Sequence, residues 1–193
     1  MKIATKKDKA LVVDILSPAF ADNQSVGHLV GDDPGRRTRI RKLMAYAFEE
    51  CRAFGKVWLN EEGTACALVS FKDQKQTTLA GLWRDLGLIF RVMGFDRLGK
   101  VLRKEKLVER TQQEYLQGRL AYYIWFIGVP PELQGKGLGS ALLNELLEDA
   151  VRLGRVPVLE TSNLRNLAFY QQAGFEQYEK LDVGYPLYFF KRE

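Results

Sequence analysis

A chain of 193 residues is long enough for one domain, which buries roughly 70% of the surface that its unfolded form would expose. The sequence has 29 Lys and Arg against 24 Asp and Glu, a net charge of +5 that suits a polyanionic ligand such as a nucleotide and is modest for a nucleic-acid-binding protein. The two cysteines, Cys51 and Cys66, lack CxxC spacing and neighbouring histidines, which argues against a disulfide framework and a zinc site. We therefore expect packed, reduced thiols and a fold that needs no metal.

The sequence also argues against a membrane protein. Residues 1–10 are basic but are not followed by the apolar core and small-residue cleavage site of a signal peptide. The most apolar stretch, 79–95, is shorter than the roughly 20 residues that span a bilayer, and it contains Arg84, Asp85 and Arg91. We expect a soluble, cytoplasmic protein with neither a membrane nor a nucleic acid as its partner.

The first part of the chain predicts mainly helices, with one hairpin where β-forming residues flank a Glu-Glu-Gly turn. In chain order, the predicted elements are a strand at 2–5, a helix at 7–21, a polar loop at 22–35, a helix at 36–54, strands at 56–60 and 64–71, and helices at 75–94 and 98–118.

Two features of these last helices have alternative interpretations. Basic residues at 97–110 alternate with Leu and Val at helical spacing, which favours the solvated face of an amphipathic helix over a membrane or nucleic-acid surface. The aromatic and apolar residues of the preceding segment fit a buried helix better than a lid over an aromatic acceptor; they are Trp83, Phe90, Met93 and Phe95.

The second part of the chain changes character. Residues 121–129 form a continuous aromatic and aliphatic run, as expected of a strand buried on both faces. Beyond a glycine-rich segment, leucines at three- and four-residue spacing predict a helix that ends near Gly154. A strand at 156–161, a helix at 164–173 and strands at 175–181 and 185–191 complete an α/β fold with a mixed sheet.

The glycine-rich segment between the buried strand and its helix predicts a phosphate-binding loop. Its glycines let a ligand approach the backbone, and the helix that follows directs free N–H groups and the positive end of its dipole at one point. The segment lacks the G-x-x-x-x-G-K-[ST] pattern of a P-loop, and Ser140 stands where the dinucleotide pattern G-x-G-x-x-G needs its last glycine. Gln134, Gly137 and Gly139 satisfy the coenzyme A pattern [QR]-x-x-G-x-[GA] in full.

Strand, loop and helix resemble the core motif of the GNAT superfamily of N-acetyltransferases, and NLRNLAFYQQAGFE resembles the segment that follows that motif in the family. The stretches GVPPELQGKGLGSALL and LETSNLRNLAFYQQAGF, with FADN and GKVWLNEEG nearer the start, are similar to puromycin N-acetyltransferase-like members. The likeness is densest over 122–175 and weak over 72–118, the region expected to choose the acceptor.

This resemblance implies the fold and the reaction. The expected fold is a mixed, mostly antiparallel central sheet with a splayed parallel pair and flanking helices. We expect one domain over 1–193, with 72–120 as an acceptor-side helical insertion and 121–175 as the acetyl-CoA-binding core. The implied activity transfers an acetyl group from the co-substrate acetyl-CoA to a primary amine of a small molecule, directly and without a metal. A homodimer is left open.

The resemblance also assigns the residues that bind the coenzyme. The backbone of Ile127, Gly128 and Val129 would meet the pantetheine arm, and the Val129 N–H would face the thioester oxygen. Asn163 and Asn166 would bond the pantetheine amides, or else cap and solvate their helix. The pyrophosphate would lie on Gln134, Gly135, Lys136, Gly137, Leu138, Gly139 and Ser140.

Proton transfer needs an acid and a base. The resemblance places Tyr170 beside the coenzyme sulfur, where a phenol with a pKa near 10 can protonate the departing thiolate. Many relatives carry a basic carboxylate on the buried strand, and this strand has none. Glu160, at the end of the next strand, is the first candidate, and an ordered water is its competitor.

Three residues are candidates for the acceptor site. His28 has an intrinsic pKa suited to proton transfer and lies in the predicted loop at 22–35. Tyr123 and Trp125 lie on the buried strand where a carboxylate was expected. Two rival functions are left open: acetylation of a protein lysine or amino terminus, and a non-catalytic module that senses acyl-CoA.

Overall fold

The computed structural model describes residues 1–75, 92 and 95–193. The predicted helix at 75–94 therefore falls almost entirely outside the described residues, as do Trp83, Phe90, Met93 and the side chain of Phe95. Within the described ranges, no helix is both long and apolar enough to cross a membrane.

The helices lie on both faces of one mixed sheet. They are α1 (Lys9–Ala19), α2 (Gln24–Val30), α3 (Arg36–Phe54), α4 (Phe95–Leu116), α5 (Leu138–Arg152) and α6 (Arg165–Gln172). The strands are β1 (Lys2–Ile3), β2 (Gly55–Leu59), β3 (Cys66–Ser70), β4 (Ala121–Gly128), β5 (Val156–Thr161), β6 (Glu176–Asp182) and β7 (Pro186–Lys191). Short 3-10 turns lie at Lys6–Asp8, Lys72–Gln74 and Pro131–Leu133.

The seven strands are ordered β1-β2-β3-β4-β5-β7-β6, and every neighbouring pair is antiparallel except β4 and β5. The parallel pairing joins Ala121–Tyr123 of β4 to Val156–Val158 of β5 and stops there. Since β4 runs on to Gly128 and β5 to Thr161, the two strands separate beyond this point. The predicted fold, including its splayed parallel pair, is confirmed.

A β-bulge interrupts β4 beside the splay. Val69 pairs with Ile124 and Leu68 with Phe126, which leaves Trp125 as the extra residue. Because a bulge breaks the alternation of side chains, Trp125 and Phe126 both pack with the core beneath α1 and α3. Ile124 and Ile127 pack with the opposite core, beneath α5 and α6.

The predicted polar loop at 22–35 is wrong in part, because it contains helix α2. Asn23 caps this helix by accepting a hydrogen bond from the Val26 N–H at 3.0 Å. Val26 and Val30, four residues apart, are both buried against the core. The capping side chain and the two buried valines help to hold this helix of seven residues in place.

The buried face of α4 differs from the predicted one. Val108, Gln112 and Leu116 are buried at four-residue spacing, whereas Leu102 is 50% exposed and Leu107 38% exposed. The basic residues were predicted to lie on a solvated face, and for most of the described ones this holds. Lys104 is the exception: it is half-buried and lines the cavity described below.

Candidate active site

A cavity of about 380 Å³ opens where β4 and β5 separate, a size typical of small-molecule sites. Its wall includes residues from both sides of the sheet, because the splay removes the ladder that would otherwise divide them. The predicted site residues that line it are His28, Tyr123, Trp125, Ile127, Glu160, Asn166 and Tyr170. The glycine-rich loop does not line this cavity.

The loop has the backbone conformation that its glycines predict. Gly135 and Gly137 have φ angles of 76° and 79°, in the left-handed region that disfavours other residues. A methyl group added at either position would meet no atom within 4 Å, so the backbone is open to a ligand. Gly137 directly precedes α5 and offers no capping side chain, which leaves the first N–H groups of a 15-residue helix facing outward beside the exposed Lys136.

The Gln134 side chain makes a structural contact that its position in the coenzyme A pattern does not predict. Its side-chain Nε2 donates a hydrogen bond to the Val129 carbonyl at 3.0 Å. This contact fixes the start of the loop against the end of β4. The backbone of Ile127, Gly128 and Val129 and the open N–H groups of α5 are thereby held in one arrangement.

Tyr170 is buried in an aromatic setting. Its ring centroid lies 5.1 Å from that of Phe169, 5.9 Å from Phe175 and 5.8 Å from Phe190. Burial, reinforced by the negative charge of Glu160, raises the pKa of Tyr170 well above the ordinary value of 10. The phenol therefore stays protonated at physiological pH and presents a donor to the cavity.

Glu160 is held by two donors. The Tyr123 hydroxyl donates to its Oε1, and the Gln112 side chain donates to its Oε2 at 3.2 Å. Burial first, then the charge of Glu160, raises the pKa of Tyr123 well above its usual range, so this phenol remains a donor. Gln112 is only 3% exposed and accepts a hydrogen bond from Lys72 at 2.9 Å. Glu160 and Tyr123 were candidates in the sequence analysis, whereas Gln112 was missed.

The remaining predicted residues divide into two groups. His28 and Asn166 line the cavity, and the His28 ring centroid lies 4.5 Å from that of Tyr185. Asn163 is exposed and directly precedes the first turn of α6. Its side-chain oxygen accepts a hydrogen bond from the Arg165 N–H at 3.1 Å, which stabilises the start of the helix.

The cysteines are packed as expected. Cys51 and Cys66 are fully buried, and burial raises the pKa of both thiols. In the part of the chain that the structure describes, no three His, Cys, Asp or Glu side chains are grouped so as to hold a metal ion.

Comparison with known proteins finds similarity to one family. Residues 106–175 match the model of the acetyltransferase (GNAT) family. A Trypanosoma brucei brucei protein named glucosamine 6-phosphate N-acetyltransferase is 28% identical over 103 residues, which are 53% of this chain and 69% of that protein. Over residues 106–175 the chain is similar to GNAT-family acetyltransferases.

Two solved structures share the fold at low identity. One, from Corynebacterium glutamicum, is described as histone acetyltransferase HPA2 and related acetyltransferase; it has a TM-score of 0.66 and 20% identity, over 99% of this chain and 93% of that one. The other is the C-terminal condensation domain of Ebony in complex with beta-alanyl-dopamine, with a TM-score of 0.65 and 8% identity over 100% of this chain and 97% of that one. These likenesses show a common architecture.

Proposed function

We propose that this protein transfers an acetyl group from acetyl-CoA to a primary amine of a small molecule, by direct attack while both substrates are bound. The observation that carries the proposal is the cavity at the splay, where Tyr170 and Glu160 line the same space. One residue there can donate a proton and the other can accept one, as an acyl transfer from thioester to amine requires.

The residues present fit the coenzyme. The outward N–H groups at the start of α5, the open backbone at Gly135 and Gly137, and the charge of Lys136 suit a pyrophosphate. The separated edge of β4, at Ile127–Val129, suits the pantetheine arm, with Asn166 available to its amides and Asn163 nearer the surface. The coenzyme supplies the acetyl group as a thioester. Residues 121–175 would thus bind the coenzyme, and 72–120 would select the acceptor.

Glu160 is the proposed base. An alkyl ammonium has no lone pair, so the acceptor must lose a proton before its nitrogen bonds to the acetyl carbon. The carboxylate of Glu160 is held at both oxygens, by Tyr123 and Gln112, and each oxygen retains a lone pair for that proton. An ordered water between the amine and Glu160 would extend the reach of this base.

Tyr170 is the proposed acid. As the C–S bond breaks, the sulfur gains negative charge, and the Tyr170 hydroxyl donates its hydrogen to it. Because the pKa of Tyr170 is raised, the phenol gives up its proton only as the thiolate forms, and before that stage it contributes a hydrogen bond. The Val129 N–H is the proposed donor to the carbonyl oxygen of the acetyl group.

Two observations support a small-molecule acceptor. The cavity volume of about 380 Å³ lies near the lower end of the range for small-molecule sites. The trypanosomal relative is named for a small amine, glucosamine 6-phosphate.

The test measures thiol release from acetyl-CoA with a panel of amino sugars, amino acids, aryl amines, polyamines and peptides. We expect turnover with one class of small amine and acetyl-CoA binding that calorimetry detects. Turnover only with peptides would assign a protein acceptor instead. Binding of acetyl-CoA without turnover on any amine would contradict the enzymatic proposal.

A further inference from the structure

A second group of polar side chains lies in the cavity wall, and the proposed chemistry does not use it. Lys104 Nζ donates a hydrogen bond to Ser25 Oγ at 2.7 Å, and the Tyr185 hydroxyl donates to the same oxygen at 2.9 Å. The His28 ring packs on Tyr185. All four residues line the cavity, so this donor cluster of Lys104, Ser25, Tyr185 and His28 faces the space where an acceptor would bind.

The donor cluster is built to receive an anion. A hydroxyl oxygen accepts two hydrogen bonds, and Ser25 Oγ already has two donors, so the Ser25 hydrogen is left to donate. Lys104 forms no ion pair with any residue that the structure describes, and its charge is directed at a neutral oxygen. An anionic oxygen in contact with Lys104 would form a charge-assisted hydrogen bond, roughly twice as strong as one between neutral groups.

Glu160 and Lys104 lie against different tyrosines of the cavity wall. The Tyr123 hydroxyl donates a hydrogen bond to Glu160 at one end of the cavity. The cation Lys104 acts near Tyr185, where its Nζ lies 5.4 Å from the ring centroid.

The two ends belong to one cavity of small-molecule size. The Ser25 N–H donates to Ser162 Oγ at 3.3 Å, and Ser162 follows Glu160 by two residues. Two residues of extended backbone span about 7 Å. One hydrogen bond therefore links the strand that carries Glu160 to the donor cluster, and both ends line the same cavity.

We propose that Lys104, with Ser25 and Tyr185, binds an anionic oxygen group of the acceptor, a carboxylate or a phosphate, while the acceptor's amine lies at the Glu160 end. The acceptor class is then a small zwitterionic amine. This inference rests on the proposed function, since it names the substrate of the same site.

Matched pairs of acceptors test it. Butylamine and 4-aminobutyrate differ by a carboxylate, and ethanolamine and O-phosphoethanolamine differ by a phosphate. We measure kcat/KM for each with acetyl-CoA, and calorimetric binding of each in the presence of coenzyme A. The variant is Lys104→Met, and the control is Lys106→Met, which removes the same charge from an exposed position on the same helix.

For the wild-type protein and for Lys106→Met we expect a preference of about 10- to 100-fold for one anionic member over its neutral partner. Lys104→Met should remove that preference, mainly through KM. The pair that shows the effect identifies carboxylate or phosphate. Equal use and equal binding of the anionic and neutral amines, or a preference that survives in Lys104→Met, would overturn the anion site while leaving the proposed acetyl transfer intact. Absence of turnover with every amine would count against the proposed function, and the binding measurement would still decide the anion site.

Discussion

Replacing Tyr170 by phenylalanine separates its chemistry from its packing. The ring contacts with Phe169, Phe175 and Phe190 do not involve the hydroxyl, so phenylalanine preserves them. Among the described residues the hydroxyl has no hydrogen-bond partner to lose. We therefore expect the free energy of unfolding to change by less than about 1 kcal/mol.

The effect on catalysis should be much larger. A positioned general acid contributes about 100- to 10,000-fold to the rate, and Tyr170 is the proposed donor to the sulfur. We expect kcat to fall by about 100-fold or more, with binding of acetyl-CoA nearly unchanged. The assay is thiol release from acetyl-CoA, combined with urea unfolding followed by fluorescence. Because burial and Glu160 raise the pKa of Tyr170, wild-type activity should not decline through this group below about pH 10.

Tyr178 supplies a matched control. Its hydroxyl is buried without a hydrogen-bond partner among the described residues, its pKa is raised mainly by burial, and it does not line the cavity. Tyr178→Phe should keep full activity and gain up to about 1 kcal/mol in the free energy of unfolding, since an unsatisfied polar group is removed. Full kcat in Tyr170→Phe, or an equal loss in both variants, would refute the assignment of Tyr170 as the acid.

Three further predictions concern the loop, the base and the core. Gly137→Val should raise the KM for acetyl-CoA about tenfold, because a non-glycine residue at φ 79° is strained by about 1–2 kcal/mol. The control is Gly139→Ala, whose added methyl group would meet its nearest atoms at 3.8 Å and should change this KM little. Glu160→Gln should lower kcat about 100-fold, and Gln112→Leu, which removes a donor to Glu160, about tenfold. Calorimetry should show unchanged acetyl-CoA binding in both variants. The control, Gln113→Leu, changes the exposed neighbouring residue and should have wild-type kcat. Asp149→Asn should cost about 3 kcal/mol in urea unfolding at pH 7, because this buried carboxylate accepts from Lys56, Arg152 and Tyr122. Burial acts to raise the pKa of Asp149, but the three donors outweigh burial, so the folded-state pKa is lower than the unfolded value near 4. The stabilisation is therefore fully present above the unfolded pKa. The difference in stability between variant and wild type should narrow as the pH falls through the lower folded-state pKa.

The sequence predicted most accurately the elements whose residue pattern fits only one type of secondary structure. Helix α3 and strand β5 have the predicted bounds, 36–54 and 156–161, because an amphipathic repeat and a short β-branched run compete with few alternatives. The loop glycines were also informative, since Gly135 and Gly137 occupy backbone conformations that other residues avoid. Helix α2 was missed because seven residues with two buried valines are too few to define a period.

The acceptor side of the site was harder to predict, since it depends on tertiary contacts. Lys104 is one of several basic residues in 97–110, and the sequence alone does not indicate which of them lies in the cavity. Its role arises because Ser25 and Tyr185, from distant parts of the chain, meet it at one point. Gln112 was missed for the same reason. Val108, Gln112 and Leu116 are all buried. Their four-residue spacing in the sequence is the signal that would have identified the inner face of α4.

That inner face connects the two ends of the cavity. Lys104 and Gln112 lie two helical turns apart, about 12 Å along the axis of α4, and Val108 lies between them at the same spacing. Val108 packs in one cluster with Tyr185, Leu187 and Phe189, which fixes the register of the helix against β7. The position of Lys104 relative to Glu160 is therefore set by one rigid element. If Lys104 binds the acceptor's anionic group and Gln112 positions Glu160, then the length of α4 between these two residues determines which amines fit the cavity. This helix lies within residues 72–118, where the sequence resembles the family least.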